Sequence, residues 1–249
     1  MSQSLTRGLR LLGELTAGPR SLDELVDTMT VHKTTVLRLL RTLESERFVR
    51  RDDQHRYSLG SRLFELGTNS LQQHTVRTIA LPHLKKLGRR TQGQTVHLAA
   101  YETDHAVYIA KVDSTNPVRM YSRIGLAAPL HATAVGKVLT SELPARDLRQ
   151  ALAATDFRRF TSRTITDPTT YRTTLAQVRE QGWAEDAAEH EDFINCIAAP
   201  VRDTTGRIIA AVSISVPDVI LSRDQVRSLV PDLRETATDI EHDWADAQH

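Results

Sequence analysis

Between His32 and Arg41 the chain places His32, Lys33, Thr34, Thr35, Arg38 and Arg41 off an apolar stripe of Val36, Leu39, Leu40 and Leu43. Apolar residues recurring at three and four positions specify an amphipathic helix, so these polar side chains share its outer side. Lys, Arg and Thr donate hydrogen bonds to phosphates and to the major-groove edges of bases. A recognition helix meets base edges with its N-terminal residues, which makes His32 to Thr35 and Arg38 candidate readers and Arg41 a phosphate contact. Just beyond, Phe48-Val49-Arg50-Arg51 and Arg56-Tyr57-Ser58-Leu59-Gly60 flank the turn Asp52-Asp53-Gln54-His55 and read as a β-hairpin. Its Arg50, Arg51 and Arg56 could lie along a nucleic-acid backbone, releasing counterions as they neutralise phosphates.

Two shorter helices must hold that pair in place. Leu5, Leu9, Leu12 and Leu15 form one periodic face ended by Gly18-Pro19, and Ser21-Leu22-Asp23-Glu24 has the form of a capping box for a helix to about Thr28. Helix, helix, basic helix and basic hairpin, in that order, predict a winged helix-turn-helix. Charge points the same way: residues 1–130 carry 19 Lys and Arg against 12 Asp and Glu, whereas residues 131–249 carry 13 against 19.

Helices are expected over 61–71 and 77–91, the second with Pro82 in its first turn and a solvated basic face of Lys85, Lys86, Arg89 and Arg90. Strands are expected over 95–101, 106–112, 118–123, 196–202 and 208–216, with helices over 133–141, 144–154, 168–181 and 223–247. Strands at both ends with helices between them suggest an α+β arrangement, an antiparallel sheet flanked by helices, rather than a doubly wound enzyme. The expected domains are 1–61 for DNA binding, 62–77 for a linker helix and 78–249 for a second domain.

Val31 to Leu43, followed by Arg56-Tyr57-Ser58-Leu59-Gly60, resembles the DNA-binding domain of the IclR family of bacterial transcriptional regulators, with His32 where the family usually has proline. The resemblance continues through Arg119-Met120-Tyr121-Ser122-Arg123-Ile124-Gly125, Pro129 to Lys137, Gly182 to Asp186, Cys196 to Val201 and Ala210 to Ser215. It implies a GAF-like effector domain that binds small organic acids, and a dimer or dimer of dimers on a palindromic operator in double-stranded DNA. It also implies dimer contacts on the first helix and over 63–71. Carried onto this chain, it places an effector among Ala134 and Val135 at a helix N-terminus, the acceptor Asp186, Asn195 and Cys196 in a wall, and Met120 and Ile124 as apolar lining. Ser213 and Ser215, two apart on one strand, would face the same way. The signature around Met120 looks like that of members controlling sugar-acid breakdown, so a keto or hydroxy sugar acid is expected ahead of an aromatic acid; Phe160, Trp183 and Phe193 would serve the latter.

At 249 residues with 40% hydrophobic and 25% charged residues, the chain has the balance of a folded protein of two domains. It has no apolar run of the roughly 18 residues needed to span a membrane and no signal-like start, so no membrane partner and a cytoplasmic place are expected. A lone Cys196 excludes an intrachain disulfide. His131, His190, Asp186 and Cys196 could form a Cys-His-acid arrangement, or the first two a metal site with Cys196. No nucleophile elbow, phosphate loop or zinc spacing accompanies them, so neither enzyme, metal nor cofactor is expected. A DNA binder without a ligand leaves the second domain unexplained.

Overall fold

The computed structural model describes residues 2–102, 104–117 and 120–248, which separate into two compact units, 1–73 and 74–249. In the first, α1 (Gln3–Glu14), α2 (Leu22–Met29) and α3 (Lys33–Ser45) are followed by a hairpin of β1 (Val49–Arg51) and β2 (Tyr57–Leu59), then by α4 (Arg62–Gln73). Ser21 and Glu24 form the expected reciprocal capping box on α2. His32 caps α3 in place of the usual proline: its Nδ1 accepts the backbone N–H of Thr34 at 3.4 Å and meets the Thr34 hydroxyl at 2.9 Å. Val36 and Leu40 of α3 join Leu11, Leu15, Leu25, Met29, Val49 and Tyr57 in one small core.

The expected face of α1 is only half right. Gly8, Leu11 and Leu15 turn inward, while Leu5 and Leu9 stand 64% and 60% exposed. Leu11 and Leu15 are four apart on one side and Leu5 and Leu9 four apart on another, so α1 has two apolar faces and folding covers one. Helix α4 buries none of its residues, and its Phe64 is open to solvent.

The second unit is a six-stranded antiparallel sheet in the order β5-β4-β3-β8-β7-β6. Its strands are β3 (Thr95–Glu102), β4 (His105–Val112), β5 (Ala127–Ala128), β6 (Ala184–Ala187), β7 (Ile194–Arg202) and β8 (Ile208–Pro217). One face carries Val96, Leu98, Ile197, Val201, Val212 and Ile214 against α5 (Thr75–Arg90) and α10 (Val230–Asp246). Alternation sends Ala99, Cys196, Ala198 and Ala211 to the other face, beneath α6 (Ala134–Ser141). Outside these lie α7 (Ala145–Ala154), α8 (Pro168–Gln181) and the short α9 (Arg223–Arg227). The α+β class and the helix-flanked antiparallel sheet expected from the sequence are what the chain forms.

Three local expectations change. Residues 120–123 are irregular, and the strand beside β4 is the two-residue β5; Val118 and Arg119 lie outside the described residues. The last helix is two: Ser222 caps α9, and Pro231, which cannot donate to a preceding turn, sits at the start of α10. Pro82 lies in the interior of α5 because that helix begins at Thr75. The basic side of α5 is exposed as expected, with Lys85, Lys86, Arg89 and Arg90 all open to solvent, and part of it also pairs with α10. Arg90 pairs with Asp232 and Glu235 of α10, Lys86 with Asp239 at 3.2 Å, and His83 with Asp243 at 2.7 Å. Residues 1–73 themselves carry 11 basic against 9 acidic residues, so much of the basic excess of the front half belongs to α5, where Lys86 and Arg90 pair with α10 while Lys85 and Arg89 stay exposed.

Candidate functional site

On the first unit, His32, Lys33, Thr34, Arg38 and Arg41 of the α3 surface are exposed, and Thr35 is half-buried. Lys33 reaches Asp23 of α2 at 2.5 Å, a surface pair that a phosphate can displace. Arg38 stands at the edge of a groove between α1 and α3 lined by Leu5, Leu9, Leu39 and Phe48. In the hairpin, Val49 pairs with Leu59 and Arg51 with Tyr57, and the Arg51 guanidinium lies 5.6 Å from the Tyr57 ring. The Asp52 carboxylate accepts the backbone N–H groups of Gln54 and Arg56, closing the turn. Arg50 and Arg51 project outward. Arg56 does not: it donates to the Pro19 carbonyl at 2.7 Å and to Glu24 at 3.2 Å, so it ties the wing to α2. Glu24, one turn into α2, supplied no local signal of that use.

On the second unit a cavity of about 80 Å³ opens between the sheet, the first turn of α6 and residues 120–128. Met120, Ala134, Val135, Asp186, Cys196, Ser213 and Ser215 line it, together with His190, weighed above only for catalysis or metal, and with Tyr108, Tyr121, Ser122, Thr133 and Glu191, which sequence reasoning missed. Two candidates do not reach it. Ile124 is turned to solvent. Asn195 neighbours Cys196 on β7, and the two-residue period of a strand sends it to the face of Val216.

The sequence folds tightly here for a visible reason. A Cβ on Gly136 would stand 2.5 Å from the Leu130 carbonyl oxygen, so only glycine lets α6 approach the 129–133 turn. Thr133 caps α6 by accepting the Gly136 N–H, which leaves the first-turn N–H groups at Ala134 and Val135 facing the cavity end of the helix. Tyr171 of α8 braces the same turn, donating to the Leu130 carbonyl at 2.8 Å.

At the wall of the cavity and behind it three ionisable side chains are buried together. Lys137 of α6 is fully enclosed, donates to the Glu185 carbonyl at 2.7 Å and forms an ion pair with Glu189. Asp186 accepts the backbone N–H groups of Glu189 at 2.7 Å and His190 at 3.3 Å. Burial pushes the Asp186 carboxyl up to about 7 despite Lys137 and those two donors.

The same geometry speaks against a cysteine nucleophile. Burial drives the Cys196 thiol well above its ordinary value, with the Asp186 carboxyl adding to the effect, and a thiol is a poor nucleophile. His131 is turned to the Arg158 carbonyl at 3.0 Å and packs on Phe157 and Phe160. Among the described residues, no group of three or more His, Cys, Asp or Glu could hold a metal ion. No helix among them is long and apolar enough to cross a membrane.

Comparison with known proteins then gives both units a setting. The model of the IclR helix-turn-helix domain matches residues 4–53, and that of the bacterial transcriptional regulator IclR C-terminal domain matches residues 68–242. The chain is 39% identical over 220 residues to the HTH-type transcriptional regulator KdgR of Escherichia coli, covering 88% of this chain and 83% of that one. It is 32% identical over 242 residues to the transcriptional repressor AllR of Escherichia coli, covering 96% and 89%. The crystal structure of Thermotoga maritima IclR superposes with a TM-score of 0.77 at 30% identity, covering 96% of this chain and 97% of that one. These relatives are regulators of transcription, not enzymes.

Proposed function

Because this chain belongs to the IclR family of bacterial transcriptional regulators, we infer that it is a repressor that grips a palindromic operator as a dimer and is retuned by a small carboxylate effector. That it is a ligand-responsive, DNA-binding regulator follows from the family; operator symmetry, oligomer and effector are our reading. In it, His32 to Thr35 and Arg38 read bases, while Arg41, Arg50 and Arg51 hold phosphates. Exposed Leu5 and Leu9 of α1 and the uncovered apolar residues of α4 supply self-association. The N-terminal head runs over 1–61, the linker over 62–77 and the effector domain over 78–249. As a regulator of DNA in a bacterium it works in the cytoplasm.

One observation carries the choice of effector. The cavity walls place an Asp carboxyl, three serine hydroxyls (Ser122, Ser213 and Ser215) and a helix N-terminus around one small space. That set suits a carboxylate with several hydroxyls, a keto or hydroxy sugar acid. None of Phe160, Trp183 and Phe193 lines the cavity: Phe160 packs on His131 and edge-on against His190, Trp183 packs towards α5 and α10, and Phe193 is half exposed. The test is calorimetric titration of the full chain with D-gluconate, 2-keto-D-gluconate and benzoate, beside selection of duplexes from a random pool. Binding of a sugar acid and recovery of two-fold symmetric duplexes are expected. Binding of benzoate alone, or recovery of asymmetric sites by a monomer, would overturn the reading.

A further inference from the structure

His97 is fully buried in the middle of β3, paired in register with Lys111 of β4 and Ser213 of β8, and does not itself line the cavity. Its two ring nitrogens face two hydroxyls that do. Nε2 lies 2.7 Å from the Ser122 Oγ and Nδ1 lies 3.5 Å from the Ser215 Oγ, while the ring packs on Tyr108 with centroids 4.6 Å apart. Beside it, the Lys111 ammonium donates to the Ser122 carbonyl at 2.6 Å and pairs with Asp113 at 2.7 Å. Burial and the Lys111 charge push the imidazole down to about 3, so it is neutral at every physiological pH.

A neutral imidazole carries one N–H and one lone pair. One serine must therefore accept from the ring and keep its own proton for the cavity. The other must donate to the ring and turn lone pairs to the cavity. We propose that His97 is the positioning residue of the effector site, fixing Ser122 and Ser215 in opposite hydrogen-bonding senses so that the cavity selects a ligand presenting an acceptor beside a donor. A carboxylate or keto oxygen next to a hydroxyl is that chemistry. The short contact anchors the serine of the 120–126 segment, and the long one is the contact a ligand hydroxyl competes for. This inference rests on the sugar-acid reading above and adds the residue that enforces it.

Nitrogen-15 NMR of the ligand-free full chain, with the His97 signals identified by their loss in His97→Gln, reads the ring directly. One neutral tautomer, unchanged between about pH 5 and about pH 8, is expected; a ring that titrates there, or averages two tautomers, overturns the proposal. Calorimetry supplies the second reading. His97→Phe should lose about tenfold or more in affinity for D-gluconate, and His97→Gln, which keeps a donor and an acceptor, should recover most of it. Equal gluconate affinity in wild type and His97→Phe overturns the proposal, as does equal loss in both variants with an unchanged melting temperature. If wild type takes benzoate and not gluconate, the functional reading fails and the selectivity claimed here fails with it. A single neutral tautomer in that same sample would show that the fault lies in the ligand class and not in the ring geometry.

Discussion

The two units use polar residues in opposite ways. The first keeps Lys33, Arg38, Arg41, Arg50 and Arg51 on its surface over a core of eight buried side chains, and its chemistry waits outside. The second encloses His97, Lys137, Asp186, Glu189, Ser213 and Ser215, and its chemistry is complete only once the sheet has paired. An exposed cation costs little to hold and is worth little until a phosphate arrives. A buried one must be satisfied by the fold itself, so the same residue type is structural in one unit and recognitive in the other.

Substituting both kinds of ion pair tests that contrast most severely. Lys137→Ala leaves Glu189 charged and enclosed, and should lower unfolding stability by about 3–5 kcal/mol in urea titrations. A loss below about 1 kcal/mol would show that the cluster is wetter than its burial indicates. Asp186→Ala combined with Ser215→Ala removes two polar groups of the cavity wall, each worth about 1–3 kcal/mol to a ligand that pairs with it. Calorimetry should find effector binding gone while mobility-shift affinity for operator persists; loss of both would join what the comparison separates. Arg38→Ala should cost roughly 1–3 kcal/mol on the selected duplex and little on random DNA.

The pH dependence sharpens the comparison further. With its pKa raised above the unfolded value, Asp186 holds its proton in the folded chain where the unfolded chain has lost it. The folded state therefore binds more protons between about pH 4 and about pH 7, and this group's contribution to stability declines as pH rises through that window. A carboxylate effector meets a neutral Asp186 below the upper limit and a negative one above it. Affinity measured by calorimetry should fall by up to about tenfold per unit above pH 7, and Asp186→Asn should flatten the profile. The smallest effects belong to the outer unit. Arg51→Ala should weaken specific and random DNA about equally and reduce the salt slope by about one per half-site. Lys33→Ala should alter stability by less than about 1 kcal/mol.

This division also explains what was readable. The recognition helix, the capping box of Ser21 and Glu24 and the helix Pro168–Gln181 depend on contacts within one or two turns, so spacing alone reveals them. Fold class was legible for the same reason. The four-residue β6 has no periodicity long enough to read, and it exists because β7 offers an edge. Tyr108, Ser122 and His97 carry no local mark; cross-strand register and a contact across 25 residues give them their roles. Arg56 looks identical in sequence to Arg50 and Arg51, and only its contacts with the Pro19 carbonyl and with Glu24, 32 residues away, separate it from them. The placement of Asn195 was also legible, since adjacent residues of one strand face opposite ways and Asn195 cannot share the face of Cys196.

The pairing of α5 with α10 has a consequence for how such a protein is assembled over evolutionary time. Arg90 meets Asp232 near the start of α10 and His83 meets Asp243 near its end, so the two helices run in opposite directions. The chain thus enters the second unit beside the place where it leaves. A module whose entry and exit are neighbours can be spliced onto a new head, or opened elsewhere and rejoined, without unthreading its sheet. The salt bridges of that helix pair hold the two ends of the module together, as the clasp of a cassette does.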